Sequence, residues 1–122
     1  MIYHRNIAMK NMGITRKELF TDSQNELANL TRVLGHPARI AILEHLLKSG
    51  ICINTNLVQE LGLAQATISQ HLRELKDLGI IRGSIEGTKL CYCIDSEKWS
   101  HFQNLISDFF SRFQPGPPQV CC

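Results

Sequence analysis

The stretch LVQELGLAQATISQHLREL, residues 57–75, constrains this chain more than any other part of it. Leu57, Val58 and Leu61 recur at helical spacing, Gly62 interrupts them, and Ile68, Leu72 and Leu75 resume the period in a second helix expected from Ala64 to Leu78. Asn56 and Gln59 have the spacing of a capping box for the first helix, and Gly79 is placed to stop the second. The period then drops to two. Ile81, Gly83 and Ile85 alternate with polar positions, Glu86-Gly87-Thr88 reads as a turn, and Leu90, Tyr92 and Ile94 alternate again as the second strand of a hairpin.

Helical spacing also frames this unit. Leu27, Leu30 and Leu34 form a stripe ahead of Gly35. His36-Pro37 restarts the chain, with His36 as a helix cap and Pro37 in the first turn, where its missing N–H costs nothing. Ile40, Leu43 and Leu47, widened by Ile42 and Leu46, make the next stripe, which Gly50 closes. After Asp95 and Ser96, either able to cap, Trp99, Phe102, Ile106, Phe109 and Phe113 recur along a strongly amphipathic last helix. The order helix, helix, short helix, helix, hairpin, helix predicts a mainly α fold with a β-hairpin wing, a winged helix-turn-helix. Residues 1–21 read as an N-terminal arm and 22–113 as the DNA-binding and dimerisation domain. Residues 114–122 read as a Pro/Gly tail ending in Cys-Cys.

Composition sets the class. With 122 residues, 43% of them hydrophobic, the chain supports one modest core. No run of eighteen apolar residues is present, so no membrane span is expected, and the start MIYHRNIAMKNMG lacks the apolar region of a secretory signal. The expectation is a cytoplasmic protein, in which five cysteines stand as reduced thiols. A net charge of +2 and a pI near 8.3 permit nucleic-acid binding without requiring it.

Local chemistry carries the function. The second helix of the pair is expected to turn Gln65, Thr67, Ser69, Gln70, His71 and Arg73 outward. These donors and acceptors are of the size that reaches base edges and phosphates in a major groove. Arg82, Lys89 and the turn at Gly87 would lie beside the DNA backbone or minor groove, so double-stranded DNA is the expected partner. The last helix offers more aromatic surface than one small domain covers, which points to a homodimer through Leu27, Leu30, Trp99, Phe102, Ile106, Phe109, Phe110 and Phe113.

LTRVLGHPARIAILEHLL, followed by LVQELGLAQATISQHLRELKDLGIIRGSIEGTKLCYCI, resembles the ArsR (ArsR/SmtB) family of winged-helix repressors over roughly residues 25–100. LGHPARIAIL, SQHLREL and LGII-R are its most specific marks. The resemblance implies a homodimer whose first and last helices pair across a two-fold axis, a two-fold DNA operator, and repression relieved by a ligand. It also implies that Gln65, Thr67, Ser69, Gln70 and His71 face the groove and that Arg82 to Lys89 form the wing.

Many members of that family sense metals or arsenic. Trivalent arsenic, like antimony, is soft and favours thiolates, ideally three. The arsenic-sensing branch opens the helix after its first core helix with Cys-x-Cys. Here Cys52 matches the first cysteine and Asn54 replaces the second, so that site is incomplete. Cys121 and Cys122 on the tail could complete a set with Cys52, from the same or the other subunit. Cys91 and Cys93, two apart on a strand, share one face and form a second candidate that needs a third ligand. Each cysteine also reads as a small packing residue or as a site of thiol oxidation. Asp95, His101 and Asp108 lack the paired spacing of a zinc site on the last helix.

The chain shows no Gly-rich phosphate loop, no Ser-His-Asp arrangement and no paired carboxylates in an apolar setting, so an enzyme is not expected and no cofactor is required. A ligand-released repressor is the leading reading. The alternatives are a repressor answering a thiol-redox or other signal, and a protein–protein adaptor on the same fold. The polar outer face of residues 65–73 speaks against the adaptor.

Overall fold

The computed structural model describes residues 18–49, 57–86 and 89–117. Most of the arm, Cys52, the expected cap Asn56, Gly87, Cys121 and Cys122 lie outside the described residues.

The helices are α1 (Asp22–Leu34), α2 (Pro37–Ser49), α3 (Leu57–Leu61), α4 (Gln65–Leu78) and α5 (Ser96–Ser111). Strands β1 (Ile81–Glu86) and β2 (Lys89–Ile94) lie between α4 and α5. The fold is the expected one, mainly helical with a two-stranded antiparallel wing.

Local chemistry sets each boundary. Thr21 and Gln24 close a reciprocal capping box on α1: the Gln24 N–H donates to Thr21 Oγ1 at 3.0 Å, and the Thr21 N–H donates to Gln24 Oε1 at 2.9 Å. His36 caps α2, its Nδ1 accepting from the Ala38 N–H at 3.1 Å. Gly62 makes the turn between α3 and α4 at φ +70°, where a side chain would be strained. Asp95 caps α5 by accepting from the Lys98 N–H at 3.0 Å.

The core draws on every element. Leu30 and Val33 of α1 meet Ile42, Leu43 and Leu46 of α2, Leu57 of α3, and Ile68, Leu72 and Leu75 of α4. Ile81 and Tyr92 from the wing and Phe102 from α5 close it. The α2 stripe differs from the expected one: Ile40 and Leu47 are exposed, because the buried line runs through positions 42, 43 and 46.

Strand register pairs Ile81 with Ile94, Gly83 with Tyr92, and Ile85 with Leu90. The base of the hairpin is tied by the Asp95 N–H donating to the Ile80 carbonyl at 3.0 Å. Alternation sends Ile81 and Tyr92 into the core and leaves Arg82 and Ser84 exposed on the other face.

Candidate nucleic-acid interface

α4 has two chemically distinct sides. Ile68, Leu72 and Leu75 are wholly buried and fix the helix against α1, α2, α3 and β1. Gln65, Thr67, Gln70 and Arg73 are exposed on the remaining surface, and Ser69 is half-buried beside them. Gln65 and Ser69 stand one turn apart, with Gln65 Nε2 3.4 Å from Ser69 Oγ. Five of the six side chains expected to read DNA therefore lie on accessible surface.

The sixth does not. His71 is only 7% exposed and points into the protein. The reason is its spacing: it follows Ile68 by three and precedes Leu75 by four, which puts it on the apolar stripe. There its Nδ1 accepts from Arg39 Nε at 3.1 Å, and its ring lies 4.4 Å from that of His36. Burial first, then the His36 ring and the Arg39 guanidinium, hold the His71 imidazole below the ordinary histidine pKa. Arg39, absent from the expected site, donates a second bond from Nη1 to the Val33 carbonyl at 3.1 Å. Its place three residues after a helix-capping histidine was visible in HPAR, but nothing in the spacing named its partner on a helix 32 residues away.

Arg82 is exposed on β1, and Lys89 begins β2 opposite Glu86. Cys91 and Cys93, half-buried and in no disulfide, lie on the outward face of β2, opposite Ser84 and Arg82 respectively. Among the described residues no three His, Cys, Asp or Glu side chains stand close enough to hold a metal ion. His101 pairs with Glu26 at 2.7 Å, tying α5 to α1, rather than standing alone in solvent.

The aromatic stripe of α5 divides. Leu30 and Phe102, expected at a dimer interface, are covered within the protomer. Leu27, Trp99 and Ile106 are half-buried. Trp99, Phe102 and Ile106 line, with Leu30, Leu34 and Ile80, a mainly apolar groove of about 250 Å³. Phe109, Phe110 and Phe113 are exposed, Phe110 by 71% and Phe113 by 68%. Among the described residues no helix is long and apolar enough to cross a membrane.

The sequence profile described as bacterial regulatory protein, arsR family, matches residues 36–82. An HTH-type transcriptional regulator of Methanocaldococcus jannaschii, MJ1325, is 30% identical over 87 residues, which are 71% of this chain and 98% of that protein. The biofilm growth-associated repressor of Xylella fastidiosa is 29% identical over 86 residues, 70% of this chain and 75% of the repressor. The cadmium metal-sensor CmtR of Mycobacterium tuberculosis is 35% identical over 71 residues, 58% of this chain and 59% of CmtR. The crystal structure of an ArsR family transcriptional regulator shares the fold, with a TM-score of 0.61, 20% identity, and coverage of 73% of this chain and 91% of that one. By its sequence and its winged helix-turn-helix the chain belongs to the arsR family of bacterial regulatory proteins, which are DNA-binding transcriptional regulators and not enzymes.

Proposed function

We propose that this regulator is a homodimeric repressor that reads a two-fold operator with the outer side of α4 and is released by a soft ion held on thiolates. The two-sided character of α4 carries the reading. Gln65, Thr67, Ser69, Gln70 and Arg73 occupy accessible surface of a helix whose other side is anchored by three wholly buried residues. Glutamine amides pair with adenine edges and an arginine fork with guanine, while hydroxyls reach either base or phosphate. Arg82, Gly87 and Lys89 of the wing would hold the DNA backbone and set the register in which α4 reads.

A single reading helix covers one half-site, so a two-fold operator needs a second copy. The exposed Phe109, Phe110 and Phe113, continuous with half-buried Ile106, Trp99 and Leu27, supply the apolar surface for that pairing. The thiophilic inducer rests on the five cysteines and on likeness to a cadmium sensor. Trivalent arsenic and cadmium share the preference for sulfur. The candidate ligands are Cys52, Cys121 and Cys122, with Cys91 and Cys93 as the second set.

The test is fluorescence anisotropy on a duplex from the region upstream of the gene, titrated with arsenite and, separately, cadmium under reducing conditions. Gln70→Ala with Arg73→Ala should abolish specific binding while the protein stays folded; unchanged affinity removes those residues from the interface. Release by either ion that is lost in Cys121→Ser with Cys122→Ser assigns the tail. Binding indifferent to both ions discards the thiol inducer and leaves the repressor.

A further inference from the structure

A part-buried polar group tied to two helices lies behind the reading face. The Arg39 guanidinium spans three helices: it sits on α2, donates from Nη1 to the Val33 carbonyl at the end of α1, and donates from Nε to His71 Nδ1 in the middle of α4. The Val33 carbonyl is one of the last four of α1, which have no partner within their own helix. His71 lies between Gln70 and Leu72, in the same turn as Arg73. The three wholly buried residues of α4 are apolar and hold the helix without direction; the bond from Arg39 is directional.

We infer that Arg39 is a positioning residue for DNA reading: through its bond to His71, braced on Val33, it sets the rotation and tilt at which α4 presents Gln70 and Arg73.

The brace operates in one protonation state only. Nδ1 accepts a hydrogen bond in the neutral ring and is a donor in the imidazolium, which would also set a second cation against the guanidinium. The surroundings favour the neutral form. His36 and Arg39 are the ionisable groups that act on the ring, and both they and its burial disfavour the charge. Of the other charged groups on the elements around α4, His45 of α2 is half-buried, Asp22 of α1 is exposed and Glu26 of α1 pairs with His101. Arg32 of α1 lies 3.9 Å from Glu74, while Glu44 and Lys48 of α2, Glu60 of α3 and Arg82 of β1 are exposed.

The experiment uses the full chain and a duplex that the wild type selects from a randomised pool, with an unselected duplex as the non-specific probe. Arg39→Met keeps length and removes both donors. It should lower the ratio of selected to unselected affinity by about tenfold or more, the worth of one hydrogen bond from a charged donor. His71→Asn keeps an acceptor near the Nδ1 position and does not titrate. The wild type should lose specific affinity only as pH falls below 6.5, because burial, the His36 ring and Arg39 hold the His71 pKa under that value, and His71→Asn should keep it. An unchanged ratio in Arg39→Met, or the wild-type acid loss persisting in His71→Asn, overturns the inference. If Arg39→Met fails to fold, the pH profile of His71→Asn decides. If the wild type selects no duplex, the operator reading fails instead. The brace is then judged from imidazole NMR, where Arg39→Met, which removes both the cation and the donor, must raise the His71 pKa, and an unmoved value rejects it.

Discussion

Replacing glycine by alanine at three positions of positive φ separates the cost of a backbone conformation from the cost of a collision. Gly62 has φ +70°, and a Cβ there would meet nothing within 4 Å. Gly79 has φ +95°, and its Cβ would touch the Lys98 side chain at 3.4 Å, an ordinary contact with a flexible stem. Gly83 has φ +135°, and its Cβ would lie 1.9 Å from the Cys91 carbonyl oxygen and 2.8 Å from the Tyr92 Cα. The first two substitutions should cost about 1–2 kcal/mol each, the penalty of a left-handed residue that carries a side chain. At Gly83 the obstacle is the backbone of the paired strand, which cannot turn aside as a side chain can. Tyr92, its register partner, is buried, so the strand cannot withdraw without disturbing the core. Strain of about 1–3 kcal/mol and overpacking of similar size add to roughly 2–6 kcal/mol, centred near 4.

Urea unfolding followed by far-UV circular dichroism measures all three, at one protein concentration because the stability of any self-associating protein depends on it. For a slope of about 2 kcal/mol per molar urea, Gly83→Ala should lower the midpoint by roughly 2 M and the other two by under about 1 M. If the wing detaches alone, helical signal survives and Tyr92 loses its near-ultraviolet band, with DNA affinity falling in parallel. A Gly83→Ala protein as stable as Gly62→Ala, with its tyrosine signal intact, would refute the reasoning.

Thr21→Ala removes one half of the α1 capping box and should cost about 1 kcal/mol in the same unfolding assay. His71 gives stability a pH dependence. Its folded pKa lies below the ordinary 6.5, so the unfolded chain takes up the proton first as pH falls. The contribution is therefore complete above 6.5 and is lost as pH drops from there toward the folded value, and thermal melts of wild type and His71→Asn should diverge across that window. Phe110→Ser with Phe113→Ser should shift sedimentation from dimer toward protomer while helicity is retained, since both rings are exposed in the single chain; an undiminished dimer would place the interface elsewhere.

The elements were legible because their signals are local. A glycine between two short helical stripes and a change of period from 3.6 to two can each be read within a few residues, and the register Gly83↔Tyr92, Ile85↔Leu90 follows the alternation in the sequence. What was not legible depended on distance. Ile40 and Leu47 fit a helical stripe as well as Ile42 and Leu46 do, and only the neighbours of α2 select between them. Leu30 and Phe102 belong to stripes that look available for a partner, but α1 and α5 cover each other within one chain. Periodicity reports that a face is apolar; it does not report which molecule covers it.

His71 shows how the same limit applies to polar residues. Its chemistry suits a base edge, and its neighbours Gln70 and Arg73 are exposed, so composition assigns it to the DNA side. Its spacing from Ile68 and Leu75 assigns it to the core, and geometry prevails over composition because one helical turn rotates every residue alike. A polar ring on a buried stripe is costly unless it is partnered. Arg39 supplies the partner from α2 and leaves no buried side-chain nitrogen or oxygen unpaired among the described residues. The consequence for function is that the histidine nearest the middle of the reading helix acts from behind it. A leucine at position 71 would pack against Ile68 and Leu75 more simply, but it would remove the part-buried directional bond from Arg39 and leave the middle of the helix held by apolar contacts that tolerate rotation, which readout of base edges does not.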